Sequence, residues 1–398
     1  MATADPVPDI TAASARPCDG LVILLAAMTA EQRESVLANL TAAFPAESVL
    51  VASPDAVAAE SYPSLRIVAA PAANASWTLT AADFVSAYQL ADKNKACAIL
   101  MLGPESGSLV SSALRALANA VLTGSTDLAV PCYELPPHAG LVNSAILYPL
   151  TCALFDSRVR FPLAVDLGLS LRMVERLAGA AHRITTLNQG DAPLWPVNEA
   201  AVAGFSIGQF DVGPRLQPQP AGPDLNTILP LVTGSLFSDI DAKAAFWQRT
   251  RRLPPAFNAM PLAQAPDPNT AAEIAPMLQA FRLGYTNLRG IWTLVLPPNS
   301  LLGLMRLDAT DAAAFRMPDS LWARIVFDFV LAYRLRTINR GHLLGALIPL
   351  YLAWVASHIN ITASGTSPES HIEAAAAAFE TDKAYFISRW RWPDRFNP

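Results

Sequence analysis

Leu21-Val-Ile-Leu-Leu-Ala-Ala-Met28-Thr29-Ala-Glu-Gln32-Arg-Glu-Ser-Val36-Leu37-Ala-Asn-Leu40-Thr-Ala-Ala-Phe44 is the stretch on which the fold turns. Its first eight residues are apolar without alternation, as a strand buried on both faces requires. Thr29 and Gln32 then form a capping box: the Thr29 hydroxyl accepts from the Gln32 backbone while the Gln32 amide reaches back. The helix so opened puts Val36, Leu37, Leu40 and Phe44 on one face. Outward from here the same rhythm repeats. Ser48–Ala52, Leu65–Ala69, Cys97–Leu102 and Asp127–Cys132 read as strands, and Ala81–Lys95 and Leu109–Val121 as helices. Strand and helix in alternation predict an α/β fold with a mainly parallel, Rossmann-like sheet covered by helices on both faces. Ligands bind such sheets beyond the carboxyl ends of the strands, so the loops after Met28, Ala52, Ala69 and Leu102 are the functional ones.

The second half changes character. Ala201–Val212 reads as a strand. After it Asp224–Trp247, Thr270–Leu294, Asp319–Ile338, Leu343–His358 and Pro368–Trp390 fit a helical period. Ser367 is the expected N-cap of the last, with Pro368 at its first position. Pro-rich segments at 214–223 and 262–268 read as surface loops. The organisation expected is a mobile tail over 1–18, a sheet domain over 19–215 and a helical C-terminal region over 216–398.

Of 398 residues, 52% are hydrophobic and 15% charged, and the net charge is −5. A nucleic-acid partner would call for a basic face, which this balance does not offer. Cys18, Cys97, Cys132 and Cys152 form no CxxC pair. That predicts free thiols and, with no basic-then-apolar leader, a cytoplasmic protein. The run Leu343–Ala356 falls roughly six residues short of a membrane span and is expected to be a core helix, not a transmembrane segment. Homo-oligomerisation is left open.

The usual catalytic signatures are missing. There is no GxxxxGK[ST] loop, GxGxxG, HExxH or GxSxG. His138, His182, His342, His358 and His371 match no zinc spacing. Arg334, Arg336, Arg340 and His342 gather at one helix end, where cations answer the helix dipole or hold an anion.

The informative block runs from Val130 to Ser170. Tyr133, Gly140, Asn143, Tyr148-Pro149-Leu150, Arg160, Pro162, Asp166, Gly168, Leu169 and Ser170 recur in order. In these positions the chain resembles retaining glycosyltransferases of the GT-A fold, in the glucosylglycerate synthase and mannosylglycerate synthase group. The helical runs Leu321–Tyr333 and Leu343–Leu352 are similar to that group as well. The resemblance implies transfer of a hexose from a nucleotide sugar to a small polar acceptor such as a glycerate-type compound. It implies Asp166, just before a helix that holds Gly168 and Ser170, as the catalytic residue, and Tyr133, His138, Asn143, Arg158, Arg160, Ser170 and Arg336 as binding residues.

The chain departs from that group on the donor side. Such enzymes end the fourth strand in Asp-x-Asp, which holds Mn²⁺ or Mg²⁺ against the donor diphosphate. Here Gly103-Pro104-Glu105-Ser106 follows instead. Glu105 and Asp211 are the acids left to serve a metal, and a metal cofactor is doubtful. The alternative is a non-catalytic relative that has lost its donor site.

Overall fold

The computed structural model describes residues 20–45, 49–54, 62–70, 78–185, 192–214, 225–249 and 270–393. The tail over 1–18 and nearly all of both Pro-rich loops lie outside them. So do most of the two loops after Ala52 and Ala69.

The N-terminal half alternates as the apolar runs predict. In chain order it holds β1 (Leu21–Leu25), α1 (Ala30–Ala43), β2 (Val49–Ser53), β3 (Leu65–Ala69), α2 (Ala81–Lys93), β4 (Ala98–Leu102), α3 (Ser111–Leu122) and β5 (Leu128–Glu134). Then come α4 (Tyr148–Phe155), β6 (Leu167–Ser170), α5 (Leu171–Thr185), α6 (Pro196–Ala203) and β7 (Ile207–Pro214). The capping box is formed: the Gln32 N–H donates to Thr29 Oγ1 at 3.2 Å, and the Thr29 N–H to Gln32 Oε1 at 3.0 Å.

The sheet order is β3-β2-β1-β4-β6-β5-β7. All neighbours are parallel except β6, which runs antiparallel between β4 and β5. That reversal matters for the site. It brings the start of β6 level with the carboxyl end of β4, where Leu167 pairs with Met101. Gly168 allows the insertion, because a Cβ there would sit 2.7 Å from the Leu117 carbonyl of α3. β1, β2 and β4 are buried throughout, in keeping with helices packed over both faces.

Two expectations need correction. Ala201–Val212 is not one strand: α6 runs to Ala203 and ends at Gly204, whose φ of 69° suits glycine, before β7 begins at Ile207. Asp166 does not lead into a helix but into β6, and Ser170 Oγ instead caps α5 by accepting from the Met173 N–H at 3.3 Å.

The remainder is helical: α7 (Leu225–Ala242), α8 (Ala244–Trp247), α9 (Thr270–Val295), α10 (Pro298–Asp308), α11 (Asp319–Leu335), α12 (Arg340–Ala363) and α13 (Pro368–Arg391). Ser367 caps α13 as expected. α12 is longer than the apolar run implied. It is the one described helix long and apolar enough to cross a membrane, yet most of it is buried within the protein. Two apolar cores result. One fills the sheet. The other joins the late helices to Leu141–Phe155, so α4 belongs with the helical layer. Trp322 bridges the two segments: it is fully buried and its indole N–H donates to the Ala145 carbonyl at 2.8 Å. α11 and α13 run the same way, since Asp319 meets His371, Arg324 meets Asp382 and Arg334 meets Trp390.

Candidate functional site

β5 ends in Tyr133 and Glu134, and the chain turns through Pro136-Pro137-His138 and Gly140, where φ is 65°. A wide helical turn, Asn143–Leu147, leads into α4. The chain comes back through Arg158 and Arg160 to Asp166. These returns surround an open cleft lined among others by Tyr133, Pro136, Ser144, Arg160, Phe161 and Glu369.

Asp166 is fully buried beneath it. One oxygen accepts the Gly103 N–H at 2.9 Å and the other the Tyr133 hydroxyl at 2.6 Å. The carboxylate thereby ties the end of β4 to the end of β5. Asp166→Asn places an NH₂ group against one of two donors. The expected cost is about 1–3 kcal/mol, read as a lowered urea midpoint with unchanged slope. A midpoint equal to wild type would show that the two hydrogen bonds do not hold the strand ends.

Arg160 is buried, with its Nε and Nη2 held and its Nη1 without a hydrogen-bond partner among the described residues. Its Nε donates to Glu369 Oε1 at 2.8 Å and its Nη2 to Ser144 Oγ at 3.0 Å. The guanidinium lies 5.2 Å from the Tyr148 ring centroid and 5.1 Å from that of Phe161. Its backbone is fixed too: the N–H donates to Gln209 Oε1 at 2.6 Å and the carbonyl accepts from Asn143 Nδ2 at 2.8 Å. Arg158 spends both Nη groups on α13, donating to Glu373 at 3.0 Å and Glu380 at 2.7 Å. Both guanidinium groups are engaged by acids of the last helix.

His138 stands at the cleft loop with its ring edge-on to His358, centroids 6.4 Å apart. Behind it His358 and His371 share a 2.7 Å contact between their Nδ1 atoms, and His371 Nε2 lies 3.2 Å from Asp319. In the His358–His371 contact one ring nitrogen donates and the other accepts, the roles following the tautomers of the two rings.

The structure thus brings together Tyr133, His138, Asn143, Arg160 and Asp166. Ser170 and Arg336 stay apart. Ser170 pairs with Ala98 at the opposite end of β4, and its hydroxyl donates to Asp127 at 3.0 Å. Arg336 is exposed at the C-terminal end of α11, with φ 53°. That end lies level with Trp390, roughly 30 Å along α13 from Glu369. Arg334 and Arg340 there donate to the Trp390 and Tyr333 carbonyls, the helix-end role open to them.

The two metal candidates do not converge either. Glu105 accepts from the Gln32 side chain at 3.2 Å just beyond β4. Asp211 accepts the Gly213 N–H at 3.0 Å on β7. β4 and β7 are three strand steps apart, about 14 Å. Among the described residues no group of three or more His, Cys, Asp or Glu is placed to hold a metal ion. These residues do not fit a divalent cation on a diphosphate.

Glu369, Ser144 and Gln209 escaped the sequence reading. For the acids one signal existed: Glu369, Glu373 and Glu380 repeat at i, i+4 and i+11, a single stripe on a helix.

No family model matches the chain, and no curated protein matches it. Among solved structures it is similar in part to glucosyl-3-phosphoglycerate synthase from Mycobacterium tuberculosis in complex with phosphoglyceric acid. The identity is 15%, over 56% of this chain and 79% of that one, with a TM-score of 0.36. The same enzyme with Mn²⁺, UDP-glucose and phosphoglyceric acid gives 16%, the same coverage and a TM-score of 0.38. A structure described as a mycobacterial protein gives 13%, over 56% and 74% of the two chains, and 0.37. Likeness of this degree decides nothing about the chemistry of the present chain.

Proposed function

We propose that the chain is a glycosyltransferase-type protein whose cleft takes a small polar acceptor, with a nucleotide sugar as hexose donor. The observation that carries this reading is the convergence of Tyr133, Asn143, Arg160 and Asp166 at the carboxyl edge of the sheet. They are the residues on which the resemblance to glycerate-type GT-A glycosyltransferases rests, and that edge is where an α/β sheet binds ligands. In the reaction the bond from the anomeric carbon to the diphosphate breaks and one to an acceptor hydroxyl oxygen forms, while the hydroxyl proton leaves with the diphosphate. The chain's part is orientation: Tyr133 and Asp166 fix the strand ends, and the Arg160–Glu369 pair shapes the wall.

A second reading has its own observation. At the end of β4 the Gly103 N–H is taken by Asp166 and the Glu105 carboxylate meets Gln32. Nothing in that turn resembles a paired-acid metal site, which favours a binding or regulatory relative with the donor site lost.

Melting with UDP-glucose or GDP-mannose, each with and without Mn²⁺, separates the two. A ligand confined to the folded state raises stability by about 2.7 kcal/mol at one hundred times its Kd. A donor-induced rise is expected under the transferase reading. No rise with either donor would leave only the binding relative.

A further inference from the structure

We propose that Glu369 makes the cleft select an uncharged polyhydroxy acceptor, a polyol or a sugar, over a carboxylate or phosphate ester. The proposal rests on the reading of the cleft as an acceptor site and narrows the glycerate-type expectation.

The argument begins with charge. Among the described residues, the guanidinium that lines the cleft is that of Arg160. It is 8% exposed and already paired with Glu369. Arg158 is shared between Glu373 and Glu380. Two arginines thus face three carboxylates. A fourth acid is close by, since Asp211 lies opposite Cys132 across β5 and β7. The Cys132 thiol senses this group of charges. It is pushed up to about 11, first by burial, with Arg160 opposing and Glu369 and Asp211 adding. Among the described residues, the guanidinium groups nearest the cleft already have carboxylate partners, and those carboxylates outnumber them.

Glu369 also stands in the first turn of the 24-residue helix α13. A bound anion would be drawn to that place by the unpaired N–H groups and the dipole. The protein fills it with its own carboxylate. One oxygen of Glu369 receives Arg160, and Oε2 has no partner among the described residues. The side chain is 22% exposed and lines the cleft. A carboxylate oxygen accepts and never donates, so its natural ligand partner is a hydroxyl. The carboxylate or phosphate of an ionised ligand brings only acceptors and is refused at this point, and uncharged ligands rich in hydroxyl groups are held.

The test is calorimetric titration of the full chain with myo-inositol and methyl glucoside on one side, and D-glycerate and 3-phosphoglycerate on the other. Wild type is expected to bind a polyhydroxy probe at least about tenfold more tightly than either anion. Glu369→Gln keeps the shape and removes the charge. It is expected to weaken the polyhydroxy probe about tenfold or more and to strengthen 3-phosphoglycerate as Arg160 is released. Tighter binding of 3-phosphoglycerate than of the uncharged probes by wild type overturns the proposal and leaves the acceptor reading standing. So does an unchanged preference in Glu369→Gln. Binding of neither class overturns both. The wild-type comparison needs no variant and stands even if Glu369→Gln folds poorly.

Discussion

Trp322→Ala should lower the stability of the chain by about 3–5 kcal/mol, the largest effect expected of any single substitution considered. Trp322 is fully buried and packs beside Trp354 with centroids 6.3 Å apart. Removing it leaves a cavity between α11, α12 and the Asn143–Leu147 turn. It also strips the Ala145 carbonyl of its buried donor. Trp322→Phe fills most of the space but lacks the N–H, and should cost about 1–3 kcal/mol for the orphaned carbonyl. Urea denaturation of both variants distinguishes the terms. Equal losses would show that the hydrogen bond, not the packing, dominates. No loss in the alanine variant would mean that this face does not join the late helices to the Leu141–Phe155 segment.

The second large effect is on pH. His358 is fully buried and stacks on Trp354. Burial, followed by the neighbouring His371, His138 and Arg160, pushes its pKa down to about 3, with the Pro137 carbonyl as a small offset. Below about pH 6.5 the unfolded chain takes up a proton at this ring that the folded chain refuses until about pH 3. Stability therefore falls as pH drops through that interval. The loss is about 1.4 kcal/mol per pH unit, or about 2 kcal/mol by pH 5. His358→Gln keeps a polar partner for His371 and carries no charge at any pH. Its stability should be flatter than wild type between pH 6.5 and 5, as measured by chemical denaturation at each pH. Parallel curves would place the acid sensitivity elsewhere.

What was legible in the chain was what local chemistry decides. The Leu65–Ala69 strand and the Thr29–Gln32 and Ser367 caps were all visible, because each depends on residues within a few positions. Pro196–Ala203 was misread because Ala-Val-Ala is apolar in either conformation, and short runs carry too little period to separate helix from strand. Pro196 at the start and Gly204 at the end were the better signals. The reversal of β6 was hidden for another reason: four residues have no direction that a sequence displays. The site divides in the same way. Tyr133 and Asp166 fall within one recurring block, and the fold joins them directly. The acid partners of Arg158 and Arg160 lie more than two hundred positions away, and no local rule pairs a loop arginine with a distant helix.

That distance has a consequence in time. The contacts that wall the cleft span 209, 215 and 222 residues. Closing such loops is entropically slow, and contacts of this span form after local ones. The sheet has its own core and can assemble from its neighbouring strands and helices first. The cleft is completed only when α13 docks. During refolding, ligand binding should accordingly return after the sheet does, so recovery of secondary structure would run ahead of recovery of the site.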